Sequence, residues 1–221
     1  MRGRWAQGIP PRNFAWIVKD RLAVSERPGG YAPYHRRVRR HEEILWLEGQ
    51  GFTRVVSLLP SSHNLHAYEE EGMPAAHFGL GAQDDARETL VELYPAMLGW
   101  LRSGERLLVH QEELSERVAG VVAGFLCWCG LVPDPPRAVY AVEQLLRRQL
   151  GSAGRAIVAL VAELPPPEGE SPAGAQQGPP PAGAQQGPPP TGAPTGVVRS
   201  GTSGGGAAPD TQRPSGPSRR T

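Results

Sequence analysis

The chain has 221 residues, 39% of them hydrophobic and 6% aromatic, which is enough for one ordinary folded domain with an extension. Its formal net charge of +1 argues against a general nucleic-acid or membrane-surface binder, and no apolar stretch matches a membrane span or a secretory signal. Cys127 and Cys129 lie two residues apart and form no disulfide framework, which is typical of a reducing cytosol. We therefore expect a cytoplasmic monomer without nucleic-acid or membrane partners.

Large apolar residues become rare beyond Leu164, where Pro, Gly, Ala, Gln, Ser and Thr dominate. A segment of this composition cannot bury enough apolar surface to offset its ordering entropy. The sequence therefore predicts an N-terminal arm over 1–11, a folded domain over 12–164 and a disordered tail over 165–221. The tail repeats the nonapeptide Ala-Gly-Ala-Gln-Gln-Gly-Pro-Pro-Pro at 173–181 and 182–190, which indicates a duplicated linker.

The periodicity of apolar residues predicts alternating strands and helices along the domain. The first half is expected to form, in chain order, strands over 13–18 and 21–25, a helix over 34–49, a strand over 54–59, a helix over 63–71 and a strand over 75–80. The apolar face of helix 34–49 should carry Val38, Ile44, Leu45 and Leu47.

The second half is expected to form a helix over 86–101 with Pro95 as a kink, a buried strand at the start of 106–117, and helices over 118–131, 134–150 and 152–164. Strands that alternate with helices predict an α/β fold with a mostly parallel central sheet flanked by helices.

The stretch 106–117 is the one around which the other elements are arranged. It begins as an apolar strand, continues as a polar loop and leads at once into helix 118–131. The first N–H groups of a helix are unpaired and its N-terminal end is positive, so this is a common way to build an anion site. Ser115 and Arg117 are the candidate anion-binding residues.

The spacing from His110 to Arg117 resembles the signature loop of cysteine-dependent phosphatases, in which His-Cys is followed by five residues and Arg. The order of elements over roughly 12–160 resembles the compact dual-specificity phosphatases of the protein tyrosine phosphatase superfamily. The segments that carry this resemblance are 13–16, 21–25, 54–58, 109–110 and 117–126. It implies a protein tyrosine phosphatase-like fold with Arg117 at the phosphate-cradling position.

The same resemblance implies that the chemistry has been removed. The family's nucleophile is a cysteine thiolate, whereas Gln111 at that position is a neutral amide without nucleophilic character. Leu114 stands where the family usually has Gly, and Val118 stands where a hydroxyl normally follows the arginine.

Three glutamates add negative charge beside a pocket meant for a dianion, and a carboxylate roughly 5 Å from a phosphate in a partly buried site would repel it by a few kcal/mol. We therefore expect no catalytic residue in the loop and a vestigial signature formed by His110, Gln111, Glu112, Glu113, Leu114, Ser115, Glu116 and Arg117.

The family's general acid is an Asp in the loop before the helix that here spans 86–101. Direct spacing places that position near Gly81-Ala82, and only a shift brings in Asp84 or Asp85. Either could reach a leaving oxygen, but an Asp directly before Ala86 is typical of a helix N-cap, and the cap is the favoured interpretation.

Other polar groups favour structural roles. The basic run 36–40 suggests a solvated helix face, because Glu42 and Glu43 neutralise half of it. The scattered histidines have no Cys or acidic cluster beside them, so we expect no metal site. No cofactor is expected either, and Cys127 and Cys129 are interpreted as small buried hydrophobes.

The resemblance thus implies a catalytically inactive, phosphatase-like binding or scaffold module with an unknown protein partner, which could be phosphorylated or otherwise anionic. If Arg117 is free, the loop could hold such an anion. If a loop glutamate pairs with Arg117, the pocket is closed and the domain is a scaffold. The alternative is an active dual-specificity phosphatase that uses a non-standard loop.

Overall fold

The computed structural model of the protein describes residues 8–30, 37–62, 65–82 and 84–168. Five strands form one sheet: β1 (Ala15–Val18), β2 (Leu22–Glu26), β3 (Arg54–Ser57), β4 (Ala75–His77) and β5 (Leu107–Gln111). Their order across the sheet is β1-β2-β5-β3-β4. The β1–β2 pair is antiparallel and the other three pairs are parallel. The predicted α/β fold with a mostly parallel sheet is confirmed.

The helices cover both faces of this sheet: α1 (Arg37–Gly49), α2 (His66–Glu69), α3 (Ala86–Arg102), α4 (Glu116–Trp128), α5 (Pro135–Leu146) and α6 (Ser152–Ala159), followed by a 3₁₀ helix over Leu160–Glu163. Alternate residues of β5 face opposite sides, as the two-residue period of a strand requires. Leu107 and Val109 belong to the larger core with α3 to α6, whereas Leu108 belongs to the smaller core with α1 and α2.

Each predicted element has a counterpart in the structure, with shorter bounds at several ends. The turn between β1 and β2 has Asp20 at a positive φ of 59°, a conformation that Asp adopts more readily than most residues. Pro95 lies inside α3. Residues 31–36, which include the predicted start of helix 34–49, lie outside the described residues.

The buried face of α1 differs from the prediction. Val38 is exposed, and the buried residues include Arg40 and Glu43 beside Ile44 and Leu47. Glu43 is completely buried. Its carboxylate accepts hydrogen bonds from Gly29 N and Arg39 Nε, both at 2.6 Å, which offset the cost of burying its charge. The interpretation of this run as a solvated face was wrong for Arg40, which is buried, because apolar periodicity does not reveal which charged side chains the fold buries.

Individual contacts are described on both sides of the boundaries predicted at 11 and 164, which stay predictions. Pro11 is buried, and Ile9 N donates to Glu42 O of α1 at 3.2 Å. Beyond Leu164, Pro167 is also buried. Residues 1–7 of the predicted arm and 169–221 of the predicted tail, with both nonapeptides, lie outside the described residues. Among the helices described, none is long and apolar enough to cross a membrane.

Candidate functional site

The loop between β5 and α4 lies at the carboxyl end of the parallel strands, where α/β proteins commonly bind ligands. Glu26 of β2 and Gln111 of β5 are paired in register, and Ser57 of β3 pairs with His110. Ser115 is the N-cap of α4, and its hydroxyl accepts from Val118 N at 3.5 Å. The strand, loop and helix N-terminus are therefore arranged as the sequence predicts.

Gln111 joins three segments at this edge. Its Nε2 donates to Leu80 O at 2.7 Å and to Leu58 O at 3.2 Å, which lie in the segments after β4 and β3. Its Oε1 accepts from Ser115 Oγ at 2.9 Å. An amide offers two N–H donors and a carbonyl acceptor, so both ends of this side chain are engaged within the protein.

Arg117 is directed at the same segment. Its Nη2 donates to Gly81 O at 2.9 Å, and its Nε is buried without a hydrogen-bond partner among the described residues. Ser115 and Arg117, the two candidate anion-binding residues, are thus both brought to the loop, and both donate hydrogen bonds within the protein. Whether they also bind an anion stays a prediction.

The two candidate general acids are bound to backbone amides. Asp85 is the N-cap of α3 and accepts from Arg87 N at 2.9 Å, which confirms the predicted cap. Asp84 Oδ2 accepts from Gly81 N at 2.5 Å. Asp84 therefore contacts the residue whose carbonyl Arg117 binds, and both acids hold the segment between β4 and α3 in place.

Two of the three loop glutamates are placed by contacts with segments other than Arg117. Glu112 Oε1 lies 2.8 Å from Nη1 of Arg27, which is buried at the end of β2. The Glu116 carboxylate lies so close to Gly151 that a Cβ added there would overlap it. Gly151 is the N-cap of α6, so this carboxylate faces the positive end of that helix. Glu113 is exposed.

The loop backbone does not alternate between right- and left-handed conformations, a pattern that turns successive amides into an anion-binding nest. None of residues 112–117 has a positive φ. Leu114, at the position where the resemblance places Gly, is buried and belongs to the larger core together with Val118. The side chain at this position contributes to the core, which ties the loop to the interior.

His110 is completely buried behind the loop, with its Nε2 2.8 Å from the hydroxyl of Tyr68. Burial disfavours the charged form and lowers the pKa of His110 to about 3. Burial also raises the pKa of Tyr68. Both side chains are therefore neutral near pH 7, and His110 adds no positive charge to the loop.

Sequence reasoning did not identify Arg27 or Tyr68. Arg27 reaches Glu112 because β2 and β5 are adjacent and parallel, and Tyr68 comes from α2 in the smaller core. Strand order is not encoded in local periodicity, so no sequence signal marked either contact. The described residues contain no cluster of three or more potential metal ligands. Cys127 and Cys129 are half-buried, and burial raises the pKa of Cys127.

Comparison with known proteins identifies the fold. No family model and no curated protein sequence matches the chain. Among solved structures, kinase-associated phosphatase with its catalytic cysteine replaced by serine has a TM-score of 0.58 and 15% identity, over 69% of this chain and 95% of that one. The active form of Tk-PTP has a TM-score of 0.54 and 19% identity, over 68% and 97% of the two chains. Human DUSP28 has a TM-score of 0.53 and 17% identity, over 72% and 97%. The chain therefore has the fold of dual-specificity and tyrosine phosphatase domains.

Proposed function

We propose that this dual-specificity-phosphatase-like domain is catalytically inactive and acts as a protein-binding scaffold. The observation that carries the proposal is the side chain of Gln111. The position at which the resemblance places the nucleophile holds an amide whose Nε2 is bound to two backbone carbonyls and whose Oε1 is bound to Ser115. An amide in that arrangement holds the loop to its neighbours and offers no atom that attacks phosphorus.

The two side chains that would bind a phosphate, Arg117 and Ser115, instead form hydrogen bonds within the protein at this edge of the sheet. Arg117 binds Gly81 O and Ser115 binds Gln111. An incoming anion must compete with these hydrogen bonds, each worth about 1 kcal/mol net. A helix terminus and one exposed ion pair offer about 1 kcal/mol or less each. The hydrogen bonds that an anion would have to break are worth as much as the contacts it would gain. The closed loop is therefore better suited to form a protein-binding surface than to hold a phosphate.

The proposed inactivity is tested with an aryl phosphate substrate. The wild-type protein should show no turnover above buffer background. Gln111→Cys alone should not restore activity, because Leu114 and Val118 still occupy the positions where the family has Gly and a hydroxyl. Arg117→Ala serves as the control for contaminating phosphatase, since it removes the phosphate-cradling position of this chain.

A wild-type activity that Arg117→Ala abolishes would contradict the proposal and favour the alternative, an active phosphatase with a non-standard loop. One contact supports that alternative, because Asp84 and Arg117 bind the two backbone groups of Gly81. If Gln111→Cys alone restored activity, Leu114 and Val118 would be shown not to prevent catalysis, and the loop would lack only a nucleophile.

A further inference from the structure

Arg27 and Glu112 form an ion pair beside the β5–α4 loop, and the two side chains differ in exposure. Nη1 of Arg27 lies 2.8 Å from Oε1 of Glu112. The side chain of Arg27 is 8% exposed, whereas that of Glu112 is 37% exposed. The arginine is therefore part of the protein interior, while the glutamate that pairs with it is partly open to solvent.

This ion pair uses only part of the hydrogen-bonding capacity of its two groups. Arg27 Nε and Glu112 Oε2 are both buried, and neither has a hydrogen-bond partner among the described residues. A guanidinium can bind a carboxylate through two parallel hydrogen bonds, an arrangement that is stronger and more specific than a single bond. Glu112, which is attached to the loop, makes one such bond. A carboxylate that is not attached to the loop could turn both of its oxygens towards the guanidinium.

The surroundings of Arg27 supply little other negative charge. Burial lowers the pKa of His110, and the charge on Arg27 lowers it further. Burial raises the pKa of Tyr68, and Arg27 opposes that shift. Both rings are neutral near pH 7, so neither compensates the charge of the arginine. Because a buried cation without a compensating anion is costly, Arg27 needs an anion whether or not Glu112 provides it.

Glu43 is the other carboxylate whose charge acts on Tyr68. It is paired with Arg39, whose Nε lies 2.6 Å from Glu43 Oε1. The charge of Arg40 also acts on Tyr68. If Glu112 turned towards solvent, three arginines of this region would face one glutamate, and this excess of positive charge would favour the entry of another anion.

We propose that Arg27 is a carboxylate-binding residue, and that an acidic side chain of a protein partner binds it by displacing Glu112. In the absence of a partner, Glu112 acts as an internal competitor that keeps the site occupied. The proposal rests on the proposed scaffold function for the kind of partner, and it deepens that function by giving the partner an acidic contact residue.

The experiment supplies the carboxylate as acetate to the full-length Glu112→Ala protein, in which the internal competitor is absent. The unfolding midpoint is measured by circular dichroism at pH 7 while sodium acetate replaces sodium chloride at constant ionic strength. We expect acetate to raise the midpoint by about 3 °C more than in the wild type, because a ligand that binds only the folded state stabilises it. Adding Arg27→Gln to the Glu112→Ala chain should abolish this difference.

Glu113→Ala is the matched control, since it removes a carboxylate from an exposed position of the same loop. Acetate should affect this variant as it affects the wild type. An equal effect of acetate on wild type, Glu112→Ala and Glu113→Ala would overturn the proposal, because acetate would then be a general stabiliser. An effect that remains after Arg27→Gln would also overturn it, because the acetate would then bind elsewhere.

A second measurement uses the wild type and so does not depend on the folding of a variant. The N–H signal of Arg27 Nε, a buried group, is followed by nuclear magnetic resonance and is assigned by its absence from Arg27→Lys. Acetate should shift this signal in the wild type, and at an at least threefold lower concentration in Glu112→Ala. No shift in either protein would overturn the proposal. Turnover of an aryl phosphate is measured separately, so failure of the proposed inactivity and failure of this site are distinguishable.

Discussion

At the scale of single residues, Gln111 decides what the loop can do. Gln111 ends the central strand β5, and its side chain reaches the segment after the adjacent strand β3 and the segment after β4, the next strand beyond it. Gln111 uses this position to bind Leu58 O and Leu80 O. The role is structural, and it explains why a neutral amide is compatible with the fold at this position.

The structural role of Gln111 predicts a loss of stability when its amide is removed. Gln111→Met keeps a similar length but removes the donor to Leu80 O and to Leu58 O, of which Leu58 O still accepts from Leu80 N. A buried polar group that loses its partner costs about 1–3 kcal/mol, so the free energy of unfolding in urea should fall by that amount. Gln50→Met, at an exposed position, is the control and should change it by less than about 0.5 kcal/mol. Equal effects of the two substitutions would mean that the amide contributes nothing.

Because His110 is buried in the folded protein, we expect the free energy of unfolding to depend on pH. The pKa of His110 is about 3 in the folded protein, against about 6.5 in an unfolded chain. Between these values the unfolded state binds a proton that the native state does not, so stability falls as the pH decreases below about 6.5. The loss is about 1.4 kcal/mol per pH unit, or about 2 kcal/mol at pH 5.

The test compares urea unfolding of the wild type and His110→Gln at pH 7 and pH 5. The variant should lose about 2 kcal/mol less than the wild type over this interval. Tyr68→Phe removes the hydrogen bond but leaves the histidine buried, so it should keep the wild-type slope. Parallel curves for wild type and His110→Gln would show that His110 is protonated equally in both states.

At the scale of secondary-structure elements, α4 is the central helix of the larger core. Ten of its residues are buried, including Gly120 and Gly124. Gly120 faces Gly154 of α6, and a Cβ added at Gly120 would lie 2.5 Å from Gly154 O and 2.8 Å from its Cα. The two helices therefore approach through backbone contacts that no larger residue permits.

This close approach predicts opposite effects for two glycine-to-alanine substitutions in helices. Gly120→Ala must displace the backbone of α6, and overpacking of this kind costs about 1–3 kcal/mol. Gly99→Ala, inside α3 with nothing within 4 Å of the added Cβ, should instead stabilise by about 0.4–1 kcal/mol, because alanine reduces the entropy of the unfolded chain. Thermal unfolding of both variants measures the difference. A stabilising Gly120→Ala would mean that α4 and α6 can separate at little cost.

At the scale of the whole molecule, the packed unit extends past the change in composition at Leu164. Trp128 Nε1 donates to Pro165 O, and Pro167 is buried. The apolar surface of the domain is thus covered in part by proline residues that belong, by composition, to the tail. Composition marks where large apolar residues stop, whereas the packed structure continues as long as the chain finds a surface to contact.

Two truncated chains test where the packed unit ends. A chain ending at Leu164 loses the Trp128 hydrogen bond, worth about 1 kcal/mol, and the burial of Pro167. Its unfolding midpoint should fall by at least 2–4 °C, at roughly that shift per kcal/mol for a domain of this size. A chain ending at Ala175 keeps both contacts and should unfold with the full-length protein. Identical midpoints for the two truncated chains would place the boundary at Leu164.

Much of the fold followed from the sequence alone. The two-residue period of the strands, the longer apolar period of the helices, the Asp85 cap and the strand–loop–helix at 106–117 are local features, and the structure contains each of them. The loss of a thiolate nucleophile at Gln111 also needed no structure, because it depends on the identity of one side chain at a recognised spacing. These features depend on residues that are close together in the sequence, so they can be recognised without knowledge of the fold.

The tertiary structure decided which groups meet. The loop glutamates predicted to repel an anion at Arg117 include Glu112, which instead pairs with Arg27 on the adjacent strand, and Glu116, which faces α6. The carbonyls that Gln111 and Arg117 bind come from segments about 30 to 53 residues away in sequence. Strand order and helix packing bring these groups together, and both are set by the cooperative burial of the whole chain, which no local pattern records.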